Sequence, residues 1–169
     1  NGRSRNEYNT VNVRHILIQP EASELSEDDE GYEDDVAAKD AEAAQKAQDI
    51  LDEWKAGDAT ESDFAALAST KSTDSGTASN GGLVSNMRKG ASVQPFEDWS
   101  FDPSRQSGDT DIIKSEYGYH VMYFVETNPL PYWEYKATNS LRSADVSAWY
   151  EGITDGVTAE QLDAIEYVG

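Results

Sequence analysis

The chain has only two histidines, and each lies in an apolar, β-prone run. In "KSEYGYHVMYFVE" (Lys114 to Glu126), His120, Met122 and Phe124 share one face, and Tyr119, Val121, Tyr123 and Val125 share the other. In "VNVRHILIQP" (Val11 to Pro20), Val11, Val13, His15 and Leu17 alternate with Arg14, Ile16 and Ile18, and Pro20 ends the run. An imidazole can orient a partner, pass a proton or bind a metal near neutral pH. The absence of cysteine excludes a thiolate nucleophile, a thiolate metal site and a disulfide framework. Two histidines need further ligands to hold a metal, and none has convincing spacing. No G-x-S-x-G or comparable context supports a Ser-His-Asp hydrolase. By periodicity alone each histidine is a polar residue in a core strand. Pairing of the first strand with the last would bring the two together.

The elements that must position them follow from pattern and punctuation. Residues 1–10 read as a polar tail. After the first strand, "EASELSEDDEGYEDD" (Glu21 to Asp35) reads as a solvated acidic insert. A calcium-loop register with Gly31 at the loop glycine puts Ser26 first and Ala37 where a glutamate is required, so that register fails. Val36 to Gly57 predicts a helix with an apolar stripe of Ala37, Ala41, Ala44, Ala47, Ile50, Leu51 and Trp54. "TESDFAALAST" predicts a short helix capped by Thr60 or Ser62, with Phe64, Leu67 and Ala68 inward. A Ser/Thr/Gly loop follows, in which Asp74 could be a turn or cap residue. Next come a short extended piece at Leu83 to Met87, a helix over Gln94 to Phe101 opened by Pro95, and a short strand at "IIK". After Thr127, two prolines precede helical patterning with Trp133, Tyr135, Leu141, Val146, Trp149 and Tyr150; "VTAEQLDAIEYVG" is a short helix or an extended end. The order β, α, α, loop, β, α, β, β predicts an α+β fold.

Composition limits the partners. A net charge of -20 leaves no room for the clustered Lys and Arg that phosphate backbones require, so nucleic acid is excluded as a partner. No run approaches the roughly 18 apolar residues of a membrane helix. Beginning at Asn1 without a signal-peptide pattern, the chain reads as a mature product or an excised fragment.

One ordered set of landmarks is more specific: "VRHILI" (Val13 to Ile18), "DFAALA" (Asp63 to Ala68), "STDSGTASNGGL" (Ser72 to Leu83), "PFEDWSF" (Pro95 to Phe101) and "SGDTDIIKSEYGYHVMYFVE" (Ser107 to Glu126). Together they resemble the parvulin family of peptidyl-prolyl cis-trans isomerases, most of all the PrsA-type extracytoplasmic foldases. The resemblance implies a four-stranded antiparallel sheet with packed helices over residues 11–127, followed by a C-terminal helical extension, 128–169. It places the family's two strand histidines on His15 and His120, its active-site acid or cysteine on Asp74, and a hydroxyl-bearing position on Tyr117. Substrate-pocket positions fall on Leu83, Met87 and Phe96, and Ser92 stands where the family carries a pocket methionine. The family's Gly-Gly-Asp-Leu-Gly is here "GGLVS", so the following turn must be rearranged. Acids in the first loop, where phospho-specific relatives carry bases, argue against phosphoserine-proline substrates.

The implied activity is prolyl isomerisation in the folding of exported proteins, without cofactor or metal. It would work by non-covalent stabilisation of the twisted X-Pro amide at an extracytoplasmic, secreted or membrane-anchored location. The implied partners are unfolded or partly folded polypeptides with X-Pro bonds, an upstream helical domain of the parent chain, and a second copy in a homodimer. The alternative is a catalytically weak peptide-binding chaperone module on the same fold, which "GGLVS" and Ser92 favour.

Overall fold

Branched residues in strict alternation build β1 (Asn9–Ile18), whose two faces each enter a core. The computed structural model describes residues 9–154. Around β1 are α1 (Tyr32–Ala56), α2 (Glu61–Lys71), a single 3-10 turn (Ala78–Asn80), β2 (Leu83–Met87), α3 (Gln94–Ser100), β3 (Thr110–Ser115), β4 (Gly118–Pro131) and α4 (Tyr132–Thr154). The four strands form one antiparallel sheet in the order β2-β1-β4-β3. The first and last strands are therefore the central pair.

On one face of the sheet, Ile16, Ile18, Val121 and Tyr123 pack against Ala43, Ala47, Ile50, Leu51 and Trp54 of α1 and Phe64 and Ala68 of α2. On the other, Val11, Val13, Met122 and Phe124 pack against Met87 of β2 and Phe96 and Trp99 of α3. The alternation read from the sequence divides these residues correctly. The second core is smaller, and the sheet surface beyond it is where the histidines lie.

Three elements differ from expectation for identifiable reasons. The helix α1 begins at Tyr32, inside the acidic stretch, because Glu33, Asp34 and Asp35 suit the positive end of its dipole. Its inward face starts from Asp40 and Ala43, while Ala37 and Ala41 are exposed and Ala44 is half-buried. Asp40 Oδ2 accepts hydrogen bonds from Lys114 Nζ (2.7 Å) and Tyr119 Oη (2.8 Å), so a polar residue occupies the stripe where periodicity expected an apolar one. Strand β4 continues past Thr127 to Pro131. Beyond Tyr123 it pairs with β1 but no longer with β3, and a strand with one free edge tolerates prolines. Asn128 fastens that extension, its amide donating to Thr10 Oγ1 (2.8 Å) and its carbonyl accepting from Asn9 Nδ2 (2.7 Å).

Helix α2 starts as expected at the Thr60 cap, with a capping box completed by Asp63. The described residues fall into two compact units divided between Tyr132 and Trp133. The expected short helix or extended end at Val157–Gly169 lies outside the described residues, as do positions 1–8 of the expected tail. Among the described residues, no helix is long and apolar enough to cross a membrane.

Candidate active site

Antiparallel register sets His120 opposite Leu17 and His15 opposite Met122, which puts both imidazoles on one face as diagonal neighbours. Their Nδ1 atoms are 3.2 Å apart, and both side chains are buried. Phe96 of α3 meets each ring edge-on, with centroids 5.2 Å from His15 and 5.5 Å from His120. Helix α3 thus clamps the pair from above while the sheet supports it from below.

The loop after α2 brings in the acid. Thr73 N–H donates to the Leu17 carbonyl (2.8 Å), and Ser72 Oγ accepts the Leu17 and Asp74 N–H groups (3.1 and 3.2 Å). This stitching holds Asp74 Oδ2 at 3.0 Å from His15 Nε2. Asp74 also accepts from Gly76 N–H (3.0 Å) and Thr77 Oγ1 (2.6 Å), so it is a turn residue and a histidine partner at once. At the other end, Ser115 Oγ lies 2.7 Å from His120 Nε2 and accepts the Tyr117 N–H (3.1 Å).

Ionised Asp74 selects the proton order along this chain of contacts, with Thr77 Oγ1 also 3.2 Å from His15 Nε2. Ionised Asp74 only accepts, so His15 donates from Nε2 and a neutral His15 accepts at Nδ1. His120 then donates from its own Nδ1 and accepts at Nε2 from the Ser115 hydroxyl. Electrostatics agree with that order. Burial lowers the pKa of His15 against the opposing pull of Asp74. Burial, aided by neighbouring His15, pushes His120 down to about 4. Burial would raise the Asp74 carboxyl, but the Thr77 and Gly76 hydrogen bonds and His15 outweigh it and hold it low. At neutral pH the site is an anion facing two neutral imidazoles.

A pH dependence of stability follows, with a definite sign. As pH falls from 6.5 toward 4, the unfolded chain protonates its histidines while folded His120 stays neutral. Stability is therefore lost on acidification through that window, by at most about 1.4 kcal/mol per pH unit for one such group. Asp74 adds a loss of the same sign at lower pH. Urea unfolding from pH 7 downward is expected to show this decline, with a shallower slope in a His120→Asn variant. Equal slopes would contradict it.

The histidines open onto a hollow of about 740 Å³. His15, Asp74, His120, Tyr117, Met87, Ser92 and Phe96 all line it. Met87 and Phe96 are buried in its floor, and Tyr117 is exposed on its rim. Leu83 does not line it; Val84 does. Register explains the correction. Leu83 pairs with Arg14, on the sheet face away from the histidines, whereas Val84 pairs with Val13, on the same face as His15. In the rearranged "GGLVS" stretch, β2 continues through Val84 and Ser85 but its register with β1 shifts before Met87, at Asn86, whose backbone is left-handed (φ 53°) and whose N–H is held by Asn12 Oδ1 at 2.7 Å.

Sequence reasoning missed Ser72, Thr77, Val84, Arg88, Ser115 and Tyr132. Thr77 sits three residues after Asp74, a spacing that signals a side-chain-stabilised turn. Ser115 and Tyr132 carry no such local signal. Among the described residues, no group of three or more His, Asp or Glu is placed to hold a metal ion.

A family model described as a PPIC-type PPIase domain matches residues 2–128. The chain is 40% identical over 60 residues to the foldase protein PrsA of Exiguobacterium sibiricum, covering 36% of this chain and 20% of the relative. It is 29% identical over 154 residues to foldase protein PrsA 1 of Listeria innocua, covering 91% of this chain and 40% of the relative. Among solved structures, the peptidylprolyl isomerase PrsA from Bacillus cereus is similar at 27% identity with a TM-score of 0.52, over 78% of this chain and 41% of that one. The chain thus spans less than half the length of each of these relatives.

Proposed function

This chain belongs to the PPIC-type, or parvulin, family of peptidyl-prolyl cis-trans isomerase domains, and from that membership we propose that it catalyses X-Pro isomerisation in unfolded polypeptides. The observation that carries the reading is the hollow itself, an apolar floor directly beside an ordered imidazole pair.

An X-Pro bond crosses between isomers over a barrier of ~20 kcal/mol, which comes from amide resonance lost as the bond twists. No covalent bond need form. A site that holds the twisted amide better than the planar one lowers the barrier. Met87, Phe96 and Val84 supply an apolar seat for the proline ring. The Tyr117 hydroxyl at the rim would orient the carbonyl or reach the pyramidalised nitrogen, while the buried imidazoles, whose nitrogens all have partners, set the floor beneath it. The Asp74–His15–His120–Ser115 chain fixes which imidazole nitrogens carry protons, so the polar floor beside the amide need not reorganise as the amide twists. Asp74 is a poor nucleophile toward an amide, which favours an orienting and electrostatic role over covalent attack.

We further propose that the clients are exported polypeptides handled outside the cytoplasm; the relatives named as PrsA foldases support this. A second reading, peptide binding with little catalysis, draws on the polar Ser85 and Ser92 in the hollow and on similarity to a protein named chaperone SurA from Pseudomonas fluorescens (34% identity over 66% of this chain). A protease-coupled assay on Xaa-Pro peptides distinguishes them. A rate above spontaneous isomerisation is expected. A spontaneous rate accompanied by suppressed client aggregation would favour the binding module.

A further inference from the structure

The hollow contains two charged side chains, and they lie at opposite ends. Asp74 contacts His15, while Arg88 follows Met87, which pairs with Val11. Val11 and His15 are four residues apart on β1, which separates the two ends by about 13 Å of strand. Met87 of the proline seat is next to Arg88 in sequence, and Phe96, the other half of the seat, packs on His15.

The two charges differ in what they already satisfy. The Asp74 carboxylate is answered by Thr77, Gly76 and His15. Arg88 is exposed, its guanidinium carbon lies 5.7 Å from the centre of the Tyr132 ring, and it has no carboxylate partner among the described residues. Such a contact steadies the guanidinium without consuming its charge or its hydrogen-bond donors. In a chain of net charge -20, the charge a peptide meets at this end of the hollow is therefore positive.

We propose that Arg88 is a specificity-determining residue that favours an acidic side chain beside the proline of the bound segment, a reading that rests on the peptide-binding role given to the hollow above. Its carboxylate would take the open donors of Arg88 while the proline ring sits on Met87 and Phe96. The chain's overall negative field opposes long acidic peptides, so the preferred segment is one acidic residue in an otherwise neutral or basic context. That selection is local, and added salt weakens it.

The test uses fluorescein-labelled peptides carrying Glu or its neutral isostere Gln on either side of a single proline, with affinity read by anisotropy. The Glu-to-Gln affinity ratio for at least one flank is expected to fall about 2- to 5-fold in Arg88→Gln, the range of an exposed ion pair. It should fall further in Arg88→Glu. Lys89→Gln makes the same change in net charge from a position outside the hollow's lining, and the ratio should be unchanged. A ratio that is unaltered in Arg88→Gln, or that falls equally in Lys89→Gln, overturns the proposal, as does failure of every peptide to bind. Because anisotropy needs no turnover, an Arg88-dependent ratio without isomerisation would remove the catalytic reading and leave this one standing.

Discussion

Replacing His15 with alanine is expected to slow X-Pro isomerisation about 100-fold, the scale on which loss of one preorganised polar group acts in a catalytic site. His15 is the middle link of the hydrogen-bonded chain. Without it, the Nδ1–H of buried His120 loses its acceptor and Asp74 loses a donor. His120 is then free to change tautomer, and the edge it presents to the hollow is no longer defined. The orphaned donor should also cost about 1–3 kcal/mol of stability. Glutamine at position 15 can donate to Asp74 and accept from His120, so His15→Gln should recover part of the rate that alanine loses. Near-UV circular dichroism and Tm establish that each variant is folded before protease-coupled rates are compared. A folded His15→Ala protein with the parent rate would show that the imidazole pair only supports the sheet. A glutamine variant no better than alanine would show that the proton order described above is not what matters.

The second large effect is expected at Gly82. Its φ of 69° lies in the left-handed region, and a Cβ built there would overlap the His15 carbonyl oxygen and sit 3.0 Å from Ala68 Cβ. The close approach has a purpose. Gly82 carbonyl accepts the His15 N–H at 2.9 Å, which starts the β1–β2 ladder at His15. Left-handed strain and overpacking each cost about 1–3 kcal/mol, so Gly82→Ala should destabilise the domain by about 2–6 kcal/mol. Urea denaturation measures this directly. Gly90, also left-handed but with open space around its Cβ position, is the control, and Gly90→Ala should cost distinctly less. Equal costs at the two positions would refute the steric argument.

How far the sequence could be read depended on how local the cause was. Two faces of β1 and β4 were legible because a pleated strand converts alternation directly into sidedness. The cap of α2 was legible to within Thr60 or Ser62, and Asp63, three residues after Thr60, completes the box on Thr60. The inward stripe of α1 was misread at its start because Asp40 is satisfied by Lys114 and Tyr119, far along the chain. The motif points to Leu83 for the hollow, yet its neighbour Val84 lines it. Only the pairing of Leu83 with Arg14 and Val84 with Val13 decides which faces the histidines.

By itself, the sequence determined the element types and their order, the sidedness of the central strands, and a set of landmark residues dense enough to identify the family. These are short-range properties, carried by a period of two or 3.6 and by turn residues at fixed offsets. Only the tertiary structure decided that Nδ1 of His15 meets Nδ1 of His120, that Ser115 closes the chain at one end and Asp74 at the other, and that Arg88 and Tyr132 share the hollow. Those contacts join residues up to 105 positions apart, and a register shift of one residue would turn each strand side chain to the opposite face. Pattern shows which residues can face a site, but register and packing determine which of them meet there.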